Sequence, residues 1–229
     1  MKYEDELAAG NIKAVYNNFL VDVEMPDGSI EAAFCGVVEA AEICKEGALV
    51  LLQVNAPDRI VKYNVHFVKT HDGWVMVNPK YNRRLFVEAL AAKKLSDFSG
   101  CRNCRHLKPS EAQGIDFELS DAKGEKTLVY VTSIYHKKGR LALFPHNIDF
   151  FEARMLEEMR IQVAKGNKAC VVLIVPRDDC DGIKFSWDIN PQAAGIVYDA
   201  VNNGVKFVGY SCKIEENSIE LDKKMDIEY

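Results

Sequence analysis

Cys170-Val171-Val172-Leu173-Ile174-Val175 is an unbroken apolar run. A strand with one wet face alternates polar with apolar residues, so a run without alternation predicts a strand covered on both faces. Upstream of it, Phe151, Met155, Met159 and Val163 form one stripe at helical spacing, predicting a helix over Ile148 to Ala164 that Gly166-Asn167 stops. Downstream, Pro191 opens another helix, Asn203-Gly204 closes it, and Val205 to Ile214 is a last strand. Further back, strands at Ile115 to Leu119 and Thr127 to Tyr135 flank the turn Asp121-Ala122-Lys123-Gly124. Before them, Leu85, Phe86, Ala89, Leu90 and Ala92 give an amphipathic helix from Asn82 to Leu95. Helix, strands, helix, strand, helix, strand is an α/β order.

The pattern changes before Asn78-Pro79. Ile12 to Glu24 ends at the Pro26-Asp27-Gly28 turn, and Ser29 to Cys35 returns as a second strand. Gly47 to Asn55, Ile60 to Lys69 and Trp74 to Val77 complete a series of short strands with little helix between them, which predicts a small barrel or sandwich. The expected organisation is therefore a small all-β domain over residues 1–78 and an α/β domain over 79–229.

Of the 229 residues, 48% are hydrophobic and 28% charged, as in an ordinary globular chain. No apolar run is long enough to span a bilayer and the first residues are not a signal peptide, so no membrane partner is expected. Seven scattered cysteines, an odd number, predict a reducing, cytoplasmic compartment rather than a disulfide framework. The net charge of −5 weighs against a dedicated nucleic-acid binder. Locally the balance reverses, because Lys80, Arg83, Arg84, Lys93, Lys94, Arg102, Arg105 and Lys108 are opposed only by Glu88 and Asp97. Such a run is either a solvated face or a phosphate-binding patch.

Several fragments together resemble the sugar fermentation stimulation protein A family. They are Tyr16 to Glu24 followed by Asp27-Gly28, Trp74-Val75-Met76-Val77-Asn78, Val87-Glu88-Ala89-Leu90, Gly114-Ile115-Asp116-Phe117, Leu143-Phe144-Pro145, Gly204 to Tyr210 and Ile219-Glu220-Leu221-Asp222. The resemblance covers nearly the whole chain in order. It implies an OB-like barrel followed by a PD-(D/E)xK, restriction-endonuclease-like α/β domain, and DNA as the partner.

Nucleases of that type hold Mg²⁺ with an acid on one strand and a Glu-x-Lys pair on the next, the lysine assisting the attacking water. Alternate strand residues share a face, which sets that spacing. The resemblance puts the first acid at Asp116, with Gly114 where the motif has arginine. It aligns the Glu-Val-Lys-Ser pattern with Tyr130-Val131-Thr132-Ser133, so a phenol and a hydroxyl replace the metal-binding glutamate and the lysine. The barrel motif Pro-Asn-Thr-Gly becomes Cys35-Gly36-Val37-Val38 with Glu39 after it, and the polar motif after Phe144-Pro145 becomes His146 to Glu152. These replacements predict a nuclease-like scaffold without the standard metal site. No cofactor is expected, Mg²⁺ entering only under the alternative of a rearranged site in which Asp116 and Glu118 are joined by Glu88 or Glu152, with Lys137 or Arg154 as the cation. A third reading is a scaffold binding protein or a small ligand in the old cleft.

Arg59, Lys62 and Tyr63 stand in a basic-aromatic segment of the barrel, and Tyr81 lies among Lys80, Arg83 and Arg84; these are the candidate nucleic-acid contacts. Cys101-x-x-Cys104 with His106 has the spacing of half a zinc site, but no second pair completes it. The histidines form no nucleophilic dyad, and no glycine-rich phosphate loop is present.

Overall fold

The computed structural model describes residues 1, 7–17, 20–37, 42–56, 58–108, 114–215 and 218–229. Val38, Glu39 and the Asn18-Phe19 part of the first family-like fragment lie outside the described residues.

The N-terminal strands are β1 (Ala8–Tyr16), β2 (Leu20–Glu24), β3 (Ile30–Phe34), β4 (Leu49–Val54), β5 (Tyr63–Lys69) and β6 (Trp74–Met76). Among the described residues they lie in the order β3-β2-β1-β4-β5-β6, and a parallel pairing of Ala33 with Tyr63 and Phe34 with Asn64 closes the first five into a barrel. This is the Greek-key connectivity of an OB-type barrel. Ile12, Val23, Val50, Leu52 and Val65 fill its interior. Gly10 sits where β1 crosses β2 so closely that a Cβ would lie 2.8 Å from the Glu24 carbonyl and run into Val23. The segment Ile12 to Glu24, expected as one strand, is a hairpin of β1 and β2 pairing Tyr16 with Leu20. The break falls at Asn17, which adopts a φ of 50° directly after β1.

The rest forms a second sheet with helices on both faces, as the α/β order requires. Its strands are β7 (Cys101–His106), β8 (Phe117–Asp121), β9 (Lys126–Ser133), β10 (Lys137–Lys138), β11 (Leu141–Phe144), β12 (Lys168–Val175), β13 (Gly182–Phe185), β14 (Lys206–Glu215) and β15 (Ser218–Glu228). Among the described residues their order is β10-β11-β13-β15-β14-β12-β9-β8-β7. Strand β12 runs parallel to both neighbours. Its Val171, Leu173 and Val175 pack toward helices α2 (Phe150–Ala164) and α3 (Pro191–Asn202), while Cys170, Val172 and Ile174 pack toward α1 (Asn82–Ala91). The apolar run is thus buried on both faces, as expected.

Helix α1 stops at Ala91, short of Leu95, and Lys93 turns the chain at a φ of 58°. Phe151, expected on the buried stripe of α2, is 76% exposed. The acidic C-terminal segment, which carried no strand expectation, pairs with β14 as β15 because Ile219, Leu221 and Met225 point inward between its charges.

Barrel and sheet share packing. Phe67 and Met76 join the core around Phe86, and the Met76 N–H donates to the Pro176 carbonyl at 3.0 Å. Beside this seam the buried Arg177 forks onto Asp179, with Nε at 2.5 Å and Nη2 at 2.7 Å, and gives Nη1 to the Tyr135 carbonyl at 2.9 Å. Lys137 then bridges Asp179 (2.6 Å) to Asp72 in the β5–β6 turn (2.7 Å). Burial alone would raise the Asp179 carboxyl, but Arg177 and Lys137 hold it at about 2.

Candidate functional site: a buried acid beside a cleft

Asp116 immediately precedes β8 and is 2% exposed. Its backbone is clamped, its N–H donating to the Val129 carbonyl (2.9 Å) and its carbonyl accepting from the Leu107 N–H (2.8 Å). The side chain is then aimed across β9. Oδ2 accepts the Val131 N–H at 2.8 Å, and Oδ1 accepts Arg83 Nε at 2.5 Å. Arg83 stands in the first turn of α1 with its side chain 57% exposed, so it covers the buried carboxylate from the solvent side. Burial raises the Asp116 carboxyl above its ordinary value, against the opposing pull of Val131 and Arg83.

Tyr130 and Thr132 project from one face of β9. The Tyr130 hydroxyl donates to Glu152 Oε1 at 2.9 Å. Burial, then the charge of Glu152, pushes this phenol far above its ordinary value and keeps it a neutral donor. Glu152 also closes a capping box at the start of α2: its N–H donates to Asp149 Oδ1 (2.8 Å) and its Oε2 accepts the Asp149 N–H (3.3 Å). Both carboxylate oxygens of Glu152 are therefore engaged.

Thr132 and Glu152 line a cleft of about 250 Å³ whose other walls include His136, His146 and, from the barrel, Gly36 and Val37. The two imidazoles are 5.3 Å apart, and His136 Nδ1 lies 3.2 Å from Glu42. Asp116 is not among the described residues lining this cleft.

The other candidates for a rearranged site disperse. Glu118 turns to Lys126 (3.2 Å) and Arg105 (3.6 Å). Glu88 pairs with the Met1 amino group at 2.9 Å and with Arg84 at 2.8 Å. Lys137 belongs to the Arg177 network, and Arg154 lies over the Phe150 ring at 5.7 Å. Among these candidates Glu152 reaches the Tyr130 hydroxyl. Among the described residues, no three His, Cys, Asp or Glu side chains gather as metal ligands. Cys101 gives its thiol to the Asn103 carbonyl at 3.2 Å, His106 packs on Phe117, and burial raises the thiols of Cys101 and Cys104, so this trio does not converge on a metal. His66 is wholly buried, and desolvation lowers it to about 4.

Of the nucleic-acid candidates, Arg59 and Lys62 lie in the loop from β4 to β5, one of the loops with which OB barrels bind oligonucleotides. Lys62 pairs with Glu31 (3.1 Å) and sits 4.8 Å from the Tyr63 ring centre. Tyr63 itself is 8% exposed and fills the barrel core, so its ring is a packing element rather than an open stacking face. Gln53 of β4 donates to the Tyr81 hydroxyl at 2.6 Å. That contact brings the end of β4 against the chain segment bearing Lys80, Arg83 and Arg84. Arg84 pairs with Glu88 and Lys94 with Glu220 (2.8 Å), whereas Lys80, Lys93 and Arg102 are exposed and make no ion pair among the described residues. The pairing of Arg83 with Asp116 was not foreseen; its signal was a lone acid left on a buried strand, which needs a cation once its neighbours are neutral.

Comparison with known proteins agrees with this architecture. Residues 80–218 match the family model described as the sugar fermentation stimulation protein RE domain. A sugar fermentation stimulation protein homolog of Maricaulis maris is 28% identical over 232 residues, covering 100% of this chain and 99% of that protein. One from Rhodospirillum centenum is 29% identical over 231 residues, covering 98% of each chain. The solved structure of the Pyrococcus furiosus SfsA protein in complex with Ca²⁺ superposes with a TM-score of 0.86 at 18% identity, covering 100% of this chain and 98% of the other, and so shares its fold. With the family match running through well over half of its length, the chain belongs to the sugar fermentation stimulation protein family.

Proposed function

We propose that this chain is a cytoplasmic DNA-binding member of its family, in which residues 1–78 act as an oligonucleotide-type barrel and residues 79–229 as a nuclease-type scaffold that no longer cleaves through the standard metal site. The observation that carries the second half is the state of Asp116, whose two oxygens are taken by Arg83 and the Val131 N–H. Tyr130, where the resemblance expects a metal-binding glutamate, is a neutral donor to Glu152. Mg²⁺ asks for several oxygen ligands in near-octahedral order, and a donating phenol is not one of them. Support for binding comes from the exposed Lys80, Lys93 and Arg102, together with Arg83, Arg84, Arg59 and Lys62. Phosphate contacts of this kind act without regard to sequence. All seven cysteines are free thiols, in keeping with a reducing compartment.

The Pyrococcus furiosus protein is described in complex with Ca²⁺, and Glu152 of this chain does reach β9. These two observations favour, as second reading, a metal-dependent nuclease with a rearranged site. One pair of assays separates the readings. Gel shifts on single- and double-stranded DNA at about 50 mM salt should show binding that weakens steeply by about 200 mM. Supercoiled plasmid with Mg²⁺ or Mn²⁺ should stay intact. Cleavage abolished by Asp116→Ala establishes the second reading instead, and no shift at low salt removes DNA as the partner.

A further inference from the structure

Cys35 and Cys44 face each other inside the barrel, sulfur to sulfur at 3.2 Å. Cys35 directly follows β3 and Cys44 lies in the turn before β4; they are 1% and 3% exposed and belong to the barrel core. Among the described residues, no other pair of cysteine sulfurs is in contact. The position is notable because the resemblance puts a Pro-Asn-Thr-Gly segment where this chain has Cys35-Gly36-Val37-Val38. Gly36 and Val37, just beyond the first thiol, line the cleft, and Glu42, two residues before the second, lies 3.2 Å from His136 of the cleft wall.

We infer that Cys35 and Cys44 are a redox couple that hydrogen peroxide closes to a disulfide, a modification site independent of whether the chain binds DNA. The sulfurs have only about 1 Å to travel to the bonded distance. The roles within the pair are unequal. Either thiol can donate to the other, and a thiolate at Cys35 would be held by the Cys44 thiol and by the Val37 backbone N–H. On that arrangement Cys35 is the attacking sulfur and Cys44 the resolving one. Peroxide suits a core site because it is scarcely larger than water, whereas a peptide disulfide would have to open the barrel.

In the first step the Cys35 thiolate attacks one peroxide oxygen, the O–O bond breaks, and hydroxide leaves and is protonated to water. In the second, the Cys44 sulfur attacks the sulfur of the Cys35 sulfenic acid, the S–O bond breaks, and the departing hydroxide takes the Cys44 proton as a second water. Two thiols give up two electrons, and one peroxide becomes two waters.

The test treats the full-length reduced protein with hydrogen peroxide and follows it by peptide mass mapping and thermal melting. The expected result is a peptide joining Cys35 to Cys44, reversed by dithiothreitol. A melting temperature about 5–10 °C higher should accompany it, as closure of a short loop implies. Cys35→Ser and Cys44→Ser should lose both effects, and Cys101→Ser with Cys104→Ser should keep them. Cross-linking of Cys101 to Cys104 alone, sulfinic acid at Cys35 without a bridge, or no rise in melting temperature in the bridged protein overturns the inference. If either barrel variant fails to fold, mapping of the wild-type chain and of the Cys101→Ser, Cys104→Ser protein still decides the matter.

Discussion

Asp116→Ala takes the acceptor away from a buried backbone donor, and the size of the effect follows from two contacts. The Val131 N–H, held at 2.8 Å by Oδ2, has no route to water in that position, and a buried donor left unsatisfied costs about 1–3 kcal/mol. The Arg83 pair adds less, because that side chain is 57% exposed and solvent screens it, so about 1 kcal/mol is a ceiling. The alanine variant should therefore lose about 2–3 kcal/mol and melt about 5–10 °C lower. Asp116→Asn should behave differently. It keeps an oxygen for Val131 and imitates the neutral form that burial favours at this position, so it should fall within about 1 kcal/mol of wild type near pH 7. The sign of the pH dependence is also set. With the folded-state value raised, the unfolded chain gives up the proton first, so stability from this group is present at low pH and is lost as pH rises through the folded value. The advantage of wild type over the asparagine variant should shrink from about pH 4 to pH 7 in urea unfolding. A carboxylate retained for chemistry gives the opposite outcome, since removing it commonly leaves stability unchanged or improved. An alanine variant as stable as wild type would refute the structural assignment of Asp116.

His66 is buried neutral at about 4, so the unfolded chain takes up its proton first as pH falls. Wild type should lose about 3 kcal/mol between about pH 6.5 and 4 from this residue, and His66→Gln should flatten that slope in urea titrations. Arg83→Glu with Arg84→Glu should weaken DNA binding alike on all sequences and reduce the slope of log affinity against log salt by about 2, measured by fluorescence anisotropy; unchanged affinity discards that patch. Arg177→Met removes the buried fork onto Asp179, which keeps Lys137, and takes one donor from the Tyr135 carbonyl at the seam between barrel and sheet, and calorimetry should record a loss of about 1–3 kcal/mol.

The layers of the fold were legible because the signals are periodic. Cys170 to Val175 announced a doubly covered strand, and the strand-rich stretch before Pro79 announced a small barrel or sandwich, of which the structure has the barrel. Strands β7, β10, β11 and β13 were not anticipated, since Cys101–His106 is polar and almost wholly exposed and the others are very short. Strand β15 was masked by its charges, whose buried partners Ile219, Leu221 and Met225 are too widely spaced for a continuous apolar run. At the site, the family resemblance assigned the positions of Asp116, Tyr130 and Thr132, and the strands β8 and β9 beside them do pair. The Arg83 contact joins residues 33 apart on different elements, and no local pattern encodes a pairing of that kind. Tyr63 shows the converse limit. Its basic neighbours suggested an exposed ring, yet alternation along β5 turns that ring into the barrel.

A carboxylate buried at the start of β8 needs a counter-charge whatever its purpose. In a two-acid metal site the divalent ion supplies it, and the lysine on the next strand shares the field. Once Tyr130 and Thr132 stand in those positions, the neighbours of Asp116 contribute no full charge, and an arginine from α1 becomes the cheapest source of compensation. Arg83 provides one positive charge that is covalently part of the chain and present at every metal concentration. A divalent ion arriving at Asp116 would have to expel that guanidinium and break the Val131 hydrogen bond. It would then have to recruit oxygens from a phenol that is donating to Glu152 and from a glutamate already closing the cap of α2. On the proposed reading, the replacements on β9 and the ion pair from α1 are therefore one electrostatic rearrangement.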